Sequence, residues 1–250
     1  MTAALVNEGA RLVQVADTAE LPLRLFGGVA IWHRSTESTR AALGRPYADV
    51  DFVAHRKGSR DLRELLEAEG YVPERTFNAA HGASRLLYHA ADGSFHIDVF
   101  LDRFEMSHQL DFSPRLEAEP LTLSAADLLL AKLQVAEVNA KDLSDTAMLL
   151  LDHELADADG PGLVNGAYLD EVCGGDWGLF TTVGDNLEKL DAMLSGAGLG
   201  LDDPRAERVS TRSAEIRARL EAAPKTRAWK LRARVGRRKR WYEVPEEVHR

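Results

Sequence analysis

Residues 48–55 read Ala-Asp-Val-Asp-Phe-Val-Ala-His, and this alternation of acidic and apolar side chains constrains the fold more than any other segment. Successive side chains of a β-strand point to opposite faces of a sheet. The alternation therefore predicts a half-buried strand, with Asp49 and Asp51 on one face and Val50 and Phe52 on the other. Such a strand needs neighbouring elements that cover its apolar face.

A later strand carries a third aspartate. Two apolar segments, residues 84–90 and 94–104, are separated by Ala91-Asp92-Gly93, whose Asp-Gly step favours a tight hairpin. Asp98 lies within the second segment, and its two chain neighbours, isoleucine and valine, point to the opposite face. Buried aspartates are usually paired or bound to a metal, because an isolated buried charge is costly.

Helix signals surround these strands. LPLRLFGGVAIW predicts a short strand, a diglycine turn and a helix, and Ser124 with Asp127 has the form of a capping box. The chain is predicted to be helical from there onward, with glycine-rich connections. The predicted helices cover residues 2–20, Ser59 to about Glu69, Ser124 to about Val138, 141–155, and stretches near 166–173, 185–195 and 204–222.

These elements predict an α+β protein, in which a mixed sheet with flanking helices precedes a helical C-terminal lobe, with an active cleft between the two. We predict domains at residues 1–116 and 117–224 and a basic tail at 225–250. No stretch approaches about 20 uninterrupted apolar residues, and the N-terminus lacks the order of a secretory signal. We therefore expect a soluble, cytoplasmic protein without a membrane segment. A single cysteine, Cys173, excludes an internal disulfide and a cysteine-rich zinc site.

The net charge of −9 hides an asymmetry, since residues 225–240 contain nine Lys or Arg and no acid. Two interpretations of this basic tail stay open: it binds nucleic acid, or it folds back on the acidic remainder of the chain. The four tryptophans are expected to pack in the core or between lobes. Trp229 and Trp241 lie in or beside the basic run, where stacking on bases is the alternative.

Three carboxylates that converge at a sheet edge suit Mg²⁺, and such a site can hold two ions roughly 4 Å apart for in-line phosphoryl displacement. A glycine pair after a strand, Gly27 and Gly28, lets backbone N–H groups approach phosphates. Taken alone, Asp-x-Asp more often marks a solvated strand face. No GxGxxG, GxxxxGK[ST] or GxSxG motif occurs, and the scattered histidines lack zinc-site spacing. His96 shares the face of Asp98 and is placed to touch the site.

The order FGGVA, then PYADVDF about twenty residues later, then FHIDVF, resembles nucleotidyltransferases of the polymerase-beta-like fold that have Gly-Gly in place of Gly-Ser. Downstream, PLTLSAADLLLAKLQ followed by NAKDLSDTAMLL looks like the AbiEii-type and related bacterial proteins. The resemblance spans about residues 23–152. It implies transfer of a nucleoside monophosphate from an NTP to an acceptor hydroxyl, with Mg²⁺ as cofactor.

The resemblance also implies roles for particular residues. Asp49, Asp51 and Asp98 would hold the magnesium ions, with Asp49 and Asp51 as shared ligands, and Asp98 would also lie closest to the attacking hydroxyl as its base. Lys132 would line the nucleotide site, facing a polar cluster formed by Lys141, Asp142 and Asp145. Helical spacing makes these last three neighbours on one surface, although by itself it indicates an ordinary intrahelical ion pair.

The acceptor and the physiological role are left open by the sequence. Relatives modify tRNA ends, small antibiotics or proteins, and the basic tail leans toward RNA. A toxin with an antitoxin partner is one possibility among these relatives. The alternative from another class is a nucleotide-binding or interaction protein on the same fold without turnover.

Overall fold

The computed structural model describes residues 2–244. Its helices are α1 (Thr2–Thr18), α2 (Gly27–Arg34), α3 (Glu37–Leu43), α4 (Ser59–Ala68), α5 (Arg75–His81), α6 (Ala125–Leu133), α7 (Ala140–Asp152), α8 (Gly166–Gly175), α9 (Trp177–Ser195), α10 (Asp203–Ala222) and α11 (Arg227–Val235). Its strands are β1 (Leu23–Phe26), β2 (Asp49–Ala54), β3 (Val72–Pro73), β4 (Arg85–His89), β5 (His96–Leu101), β6 (Arg103–Glu105), β7 (Gln109–Asp111), β8 (Glu154–Ala156) and β9 (Leu163–Asn165).

The chain forms two compact units that interleave along the sequence. The sheet unit consists of Met1–His33, Gly44–Phe104 and Leu110–Ser124. The helical unit consists of Arg34–Leu43, Glu105–Gln109 and Ala125–Arg250. An α+β architecture with a mixed sheet, flanking helices and a helical C-terminal part is therefore confirmed.

The sheet unit is built on five strands in the order β1-β2-β5-β4-β3. β2 and β5 pair in parallel, whereas the other neighbouring strands pair antiparallel. Val50 lies opposite Ile97 and Phe52 lies opposite Val99, and all four side chains are fully buried. This apolar layer is the alternate face that the two-residue period predicts for both strands.

Helix α1 covers the apolar face of the sheet. Gly9 makes its close approach possible, because a Cβ atom at this position would lie 2.9 Å from Leu25 Cδ2 and 3.2 Å from Val50 Cγ1. Contacts this short require the neighbouring side chains to move. The opposite face therefore carries the polar side chains of β2 and β5.

The predicted α6 is wrong at its C-terminal end, because the helix stops at Leu133 rather than near Val138. Asn186 of α9 provides the reason: its fully buried side-chain Nδ2 donates to the carbonyl oxygens of Leu133 and Val135 at 2.8 and 2.7 Å. A further helical turn would compete for these carbonyl groups. Ala136 N instead donates to Ser107 Oγ at 2.9 Å.

The other predicted helices and the main strands are confirmed, with shifted ends. Helix α9 begins at Trp177, about eight residues before the predicted start, and α7 ends at Asp152, because β8 takes residues at the end of the predicted helix 141–155. Helices α3, α5 and α11 and strands β3, β7, β8 and β9 are additional elements that the sequence patterns did not indicate. Cys173 is fully buried in α8, and burial raises the pKa of its thiol to about 12. Within the described part of the chain, no helix combines the length and the apolar character needed to cross a membrane.

Candidate active site

Asp51 and Asp98 are direct neighbours across the parallel β2–β5 pair. Parallel strands lie about 4.8 Å apart, and residues in register project from the same face. Asp49 lies two residues before Asp51 and is in register with His96, so it belongs to the same face. His96 Nε2 is 3.7 Å from Asp49 Oδ2. The register thus brings the three aspartates of the sequence hypothesis together on one face of the sheet.

Gly27 lies against this group because Phe26, the last residue of β1, is in register with Asp51. Its φ of +64° is in the left-handed region, and a Cβ atom at Gly27 would lie 2.2 Å from Asp51 Oδ2. Glycine satisfies both conditions, since it tolerates positive φ and has no side chain. The first turn of α2 consequently begins directly beside the carboxylate of Asp51.

Gly28 has a different neighbour. A Cβ atom at Gly28 would lie 2.6 Å from Tyr47 Cε1 and 2.8 Å from Arg45 Nη2, and the Arg45 guanidinium stacks over the Tyr47 ring at 4.6 Å. The missing side chain therefore makes room for a cation and an aromatic ring close to the diglycine turn. A guanidinium in this position suits an anionic ligand.

Arg85 of β4 holds the third aspartate. Its Nε donates to Asp98 Oδ1 at 2.6 Å and its Nη2 donates to Asp98 Oδ2, so the pair is bidentate. The Asp98 side chain is 1% exposed. Burial by itself lowers the pKa of Arg85, but the hydrogen bonds and charge of Asp98, together with the charge of Asp51, raise that pKa above its ordinary value. The guanidinium therefore stays charged and neutralises Asp98.

Aromatic rings support Arg85 on the same face. Its guanidinium carbon lies 4.9 Å from the centroid of the Phe100 ring and 5.5 Å from that of Phe77. Phe100 in turn contacts Phe26 edge-on, with ring centroids 5.7 Å apart. The polar face is thus bounded by an aromatic wall, which reduces the access of water to the buried carboxylate.

A divalent cation fits the donor set but not its present arrangement. Carboxylate oxygens on one face of the sheet are the ligands that Mg²⁺ prefers. Among residues 2–244, however, no three His, Cys, Asp or Glu side chains are arranged as a ready metal site. Both oxygens of Asp98 accept hydrogen bonds from Arg85. Arg85 therefore competes with a bound cation for the carboxylate of Asp98.

The second predicted cluster lies in the helical unit. Lys132 Nζ of α6 is 2.8 Å from Asp142 Oδ1 and 2.9 Å from Asp145 Oδ2, both on α7. The Asp145 side chain is fully buried. Burial by itself lowers the pKa of Lys132, but the charges of Asp145 and Asp142 raise that pKa above its ordinary value. One ammonium group therefore pairs with two carboxylates and joins two helices.

Lys141 differs from the other members of this cluster because its side chain is exposed. Its backbone N–H donates to the Asn139 side chain, which caps the first turn of α7. The pairing that helical spacing suggested, Lys141 with Asp145, is replaced by the pairing of Lys132 with both aspartates. A nucleotide-binding role for these four residues stays a prediction.

Two residues near the aspartates were not found from the sequence, Arg85 and Arg45. The signal for Arg85 was present: it begins the strand that pairs with β5, and the two-residue period puts it on the face of Leu87, which is in register with Asp98. Arg45 gave no such signal, because it lies in a segment of irregular structure between α3 and β2.

Comparisons with known proteins return few matches. No protein-family model matches the chain, and no curated protein sequence matches it. Among solved structures, the chain is similar to the antibiotic-resistance factor ANT(2'')-Ia, whose solution structure was reported with substrate-regulated conformation dynamics. The sequence identity is 14%, the TM-score is 0.40, and the match covers 60% of this chain and 84% of that chain. A likeness of this size carries no argument about function.

Substitution of Gly27 by alanine is expected to destabilise the sheet unit by more than the roughly 1–2 kcal/mol that positive φ costs a residue with a Cβ atom. The new methyl group meets Asp51 at 2.2 Å. Gly93→Ala is the matched control, since Gly93 has φ +70° and no heavy atom within 4 Å of its added Cβ. Urea denaturation of both variants measures the difference. Equal losses of stability would show that Asp51 does not crowd Gly27.

Substitution of Lys132 by methionine is expected to cost about 3–5 kcal/mol of unfolding free energy, because it leaves the buried carboxylate of Asp145 without its cation. Lys141→Met, on the helix that carries Asp142 and Asp145, removes an exposed charge. It is expected to change the free energy of unfolding by less than about 0.5 kcal/mol. Urea denaturation followed by circular dichroism compares the two variants. Similar small effects from both would contradict a structural role for the Lys132 ion pairs.

Proposed function

We propose that this chain is a metal-dependent nucleotidyltransferase that transfers a nucleoside monophosphate from an NTP to an acceptor hydroxyl. The observation that carries the proposal is the register of β2 with β5, in which Asp51 and Asp98 are direct neighbours and Asp49 shares their face. The diglycine turn begins beside Asp51. Carboxylates and backbone N–H groups at one place suit a phosphate ligand with bound Mg²⁺.

The proposed reaction is an in-line displacement at the α-phosphorus. The acceptor oxygen forms a bond to phosphorus, the bond from this phosphorus to the oxygen that bridges it to the β-phosphate breaks, and pyrophosphate leaves with the bonding electrons. The proton of the acceptor hydroxyl passes to a base, for which Asp98 is the candidate. Catalysis of this kind consists mainly of positioning and electrostatic stabilisation.

The chain's own residues divide this work. Asp49 and Asp51 would hold Mg²⁺, which supplies charge neutralisation at the phosphates and lowers the pKa of a bound hydroxyl. The backbone N–H groups of Gly27 and Gly28, at the start of α2, would face the phosphate oxygens. Arg45, stacked beside Gly28, would add a cation for the same oxygens.

Arg85 would have two positions in this proposal. In the first it neutralises the buried Asp98, as described above. In the second it releases a carboxylate oxygen to the cation or to the acceptor and remains on the aromatic wall of Phe77 and Phe100. Either cation satisfies Asp98, so the carboxylate is never left buried without a partner.

The same ion pair favours the second candidate function, a nucleotide-binding or interaction protein without turnover. A bidentate guanidinium that stays on Asp98 would make that carboxylate a weaker base and a weaker metal ligand. Mg²⁺-dependent binding of NTP without release of pyrophosphate would support this alternative. The AbiEii-type relationship, a toxin role and an antitoxin partner also stay predictions, as do tRNA, a small molecule or a protein as acceptor.

Asp51→Asn and Asp98→Asn are each expected to lower the rate of NMP transfer by about 100-fold or more, since even indirect partners of a catalytic metal typically contribute 10- to 100-fold. The assay follows pyrophosphate release from each NTP with Mg²⁺ and candidate acceptors: total RNA, aminoglycosides and proteins. Asp203→Asn, at an exposed carboxylate of α10, is the control and is expected to retain the wild-type rate. Wild-type rates in the Asp51 variant would overturn the proposal.

Arg85→Gln is expected to strengthen Mn²⁺ binding about tenfold or more, because the buried carboxylate of Asp98 loses its competing cation. Arg85→Lys keeps a positive charge without the bidentate geometry and is expected to fall between that variant and wild type. Isothermal titration calorimetry measures the dissociation constants without any need for turnover. A weaker or unchanged affinity in the Arg85→Gln protein would show that Arg85 does not compete with the metal.

A further inference from the structure

The nine cations of residues 225–240 are not equivalent, because three of them bind to other residues of the helical unit. Lys225 Nζ lies 4.9 Å from the Phe180 ring centroid and donates to backbone carbonyl groups. Arg232 stacks over Trp177 at 4.6 Å. Arg237 makes a bidentate pair with Asp185 of α9, at 2.6 and 2.8 Å. This group attaches the basic segment to the acidic helix, as one of the two sequence interpretations proposed.

A second group of cations points away from these contacts. Their side chains are exposed, and none makes an ion pair with another residue of the described part of the chain; they are Arg227, Lys230, Arg234, Arg238 and Lys239. We call them the outer cations. The first three follow at intervals of three and four residues on α11, which places them on one side of the helix. Three positive charges therefore lie along about 10 Å of helix axis.

The aromatic rings of this segment face inward. The Trp229 ring contacts Phe180 with centroids 5.3 Å apart, and the Trp241 ring contacts Trp177 with centroids 5.9 Å apart. Trp241 Nε1 also donates to Thr182 Oγ1 at 3.1 Å. Lys225 lies over the Trp229 ring at 5.6 Å and Arg237 lies over the Trp241 ring at 5.0 Å, so a cation of the same segment already occupies one face of each ring. Proteins that bind single-stranded nucleic acid generally depend on the stacking of bases on aromatic rings.

We infer that the outer cations form a docking surface for the phosphate backbone of double-helical RNA. Phosphate contact needs exposed cations and no stacking platform, which is the combination present on α11. The rest of the chain is acidic and repels a polyanion, so binding is confined to this surface. As a choice of acceptor class, the inference rests on the proposed function, since RNA carries the hydroxyl groups that such a reaction needs.

The exposed apolar side chains of α11 are few. Leu231 is 62% and Val235 is 43% exposed, and both lie between the outer cations. A helix that binds a membrane surface buries a continuous apolar face of Trp, Phe and Leu side chains. Helix α11 has nine residues and exposes only two large apolar side chains, which offer little such area. In the inferred complex these two side chains contact ribose in the wide, shallow minor groove of the RNA helix.

The test uses the full-length protein and a 5′-labelled RNA hairpin of about 20 base pairs, with binding measured by fluorescence anisotropy between 50 and 200 mM salt. EDTA is present and NTP is omitted, so that no turnover is needed. The variant Arg227→Gln/Lys230→Gln/Arg234→Gln is expected to bind at least about tenfold more weakly at 50 mM salt. The slope of log K against log salt concentration is expected to decrease by about 3, one for each lost phosphate contact.

The matched control removes two arginines and one lysine from exposed positions outside the tail, as Arg56→Gln/Lys57→Gln/Arg208→Gln. It is expected to bind the hairpin as wild type does. Single-stranded RNA of equal length, a DNA hairpin and anionic phospholipid vesicles are the competing ligands. We expect the RNA hairpin to bind at least as tightly as the DNA hairpin and more tightly than the single strand or the vesicles.

Several outcomes overturn the inference. These are an equal loss of hairpin affinity in the variant and the control, tighter binding of single-stranded RNA or of the DNA hairpin than of the RNA hairpin, and vesicle binding that the RNA hairpin cannot displace. Asp51→Asn separates this inference from the proposed function, because it abolishes transfer but is expected to leave hairpin binding unchanged. RNA binding without pyrophosphate release by the wild type counts against the enzyme and not against the surface. Pyrophosphate release by the wild type without RNA binding counts against the surface and not against the enzyme.

Discussion

The parallel pairing of β2 with β5 is the constraint on which the polar face of this protein depends. Its register puts Asp51 beside Asp98 and, one residue further along each strand, Phe52 beside Val99. A slip of one residue would turn the aspartates toward α1 and the apolar side chains toward solvent. The buried layer that includes Val50 and Ile97 therefore stabilises the same register that brings the carboxylates together. Packing on one face of the sheet determines the chemistry available on the other.

Two of the buried carboxylates, Asp98 and Asp145, are paired with cations in different ways. The planar guanidinium of Arg85 binds Asp98 from a neighbouring strand. The single ammonium group of Lys132 binds Asp145 and Asp142 from a neighbouring helix. The charge of Asp51 also acts on Arg85, but the guanidinium forms its direct ion pair with Asp98. In the helical cluster, both carboxylates pair directly with the ammonium group, at 2.8 and 2.9 Å. These contacts favour a chemical role for the first group and a structural role for the second.

Some cations of the basic segment, residues 225–240, are likewise paired with carboxylates or aromatic rings. Where its cations meet carboxylates or aromatic rings, as Arg237 and Arg232 do, the segment is attached to α9. The two tryptophans also contact α9, as packing residues do, which favours the packing interpretation over stacking on bases. The cations of the basic segment thus form two groups: those that attach the segment to α9, and the outer cations, which are exposed. The division follows from helical geometry and is not visible in composition.

The two-residue alternation of side chains and the identity of the turn residues were sufficient to predict the main strands of the sheet and most helices. They also predicted the face of its own strand on which each aspartate lies. The alternation around Asp49 and Asp51, and the apolar neighbours of Asp98, are local properties that a two-residue period reads directly. The end of α6 was not predictable in this way, because Asn186, far along the chain, takes the carbonyl groups that would continue the helix.

Sequence by itself determined that Asp49 and Asp51 share one face of their strand, that Asp98 lies on the face opposite its apolar neighbours, and that the chain carries a basic run near its C-terminus. Tertiary structure alone decided which cation meets each carboxylate: Arg85 with Asp98, and Lys132 with both Asp142 and Asp145. The physical reason is that backbone periodicity fixes the direction of a side chain within its own element. The partner of a charge is set by the register and packing of other elements, which no local pattern encodes.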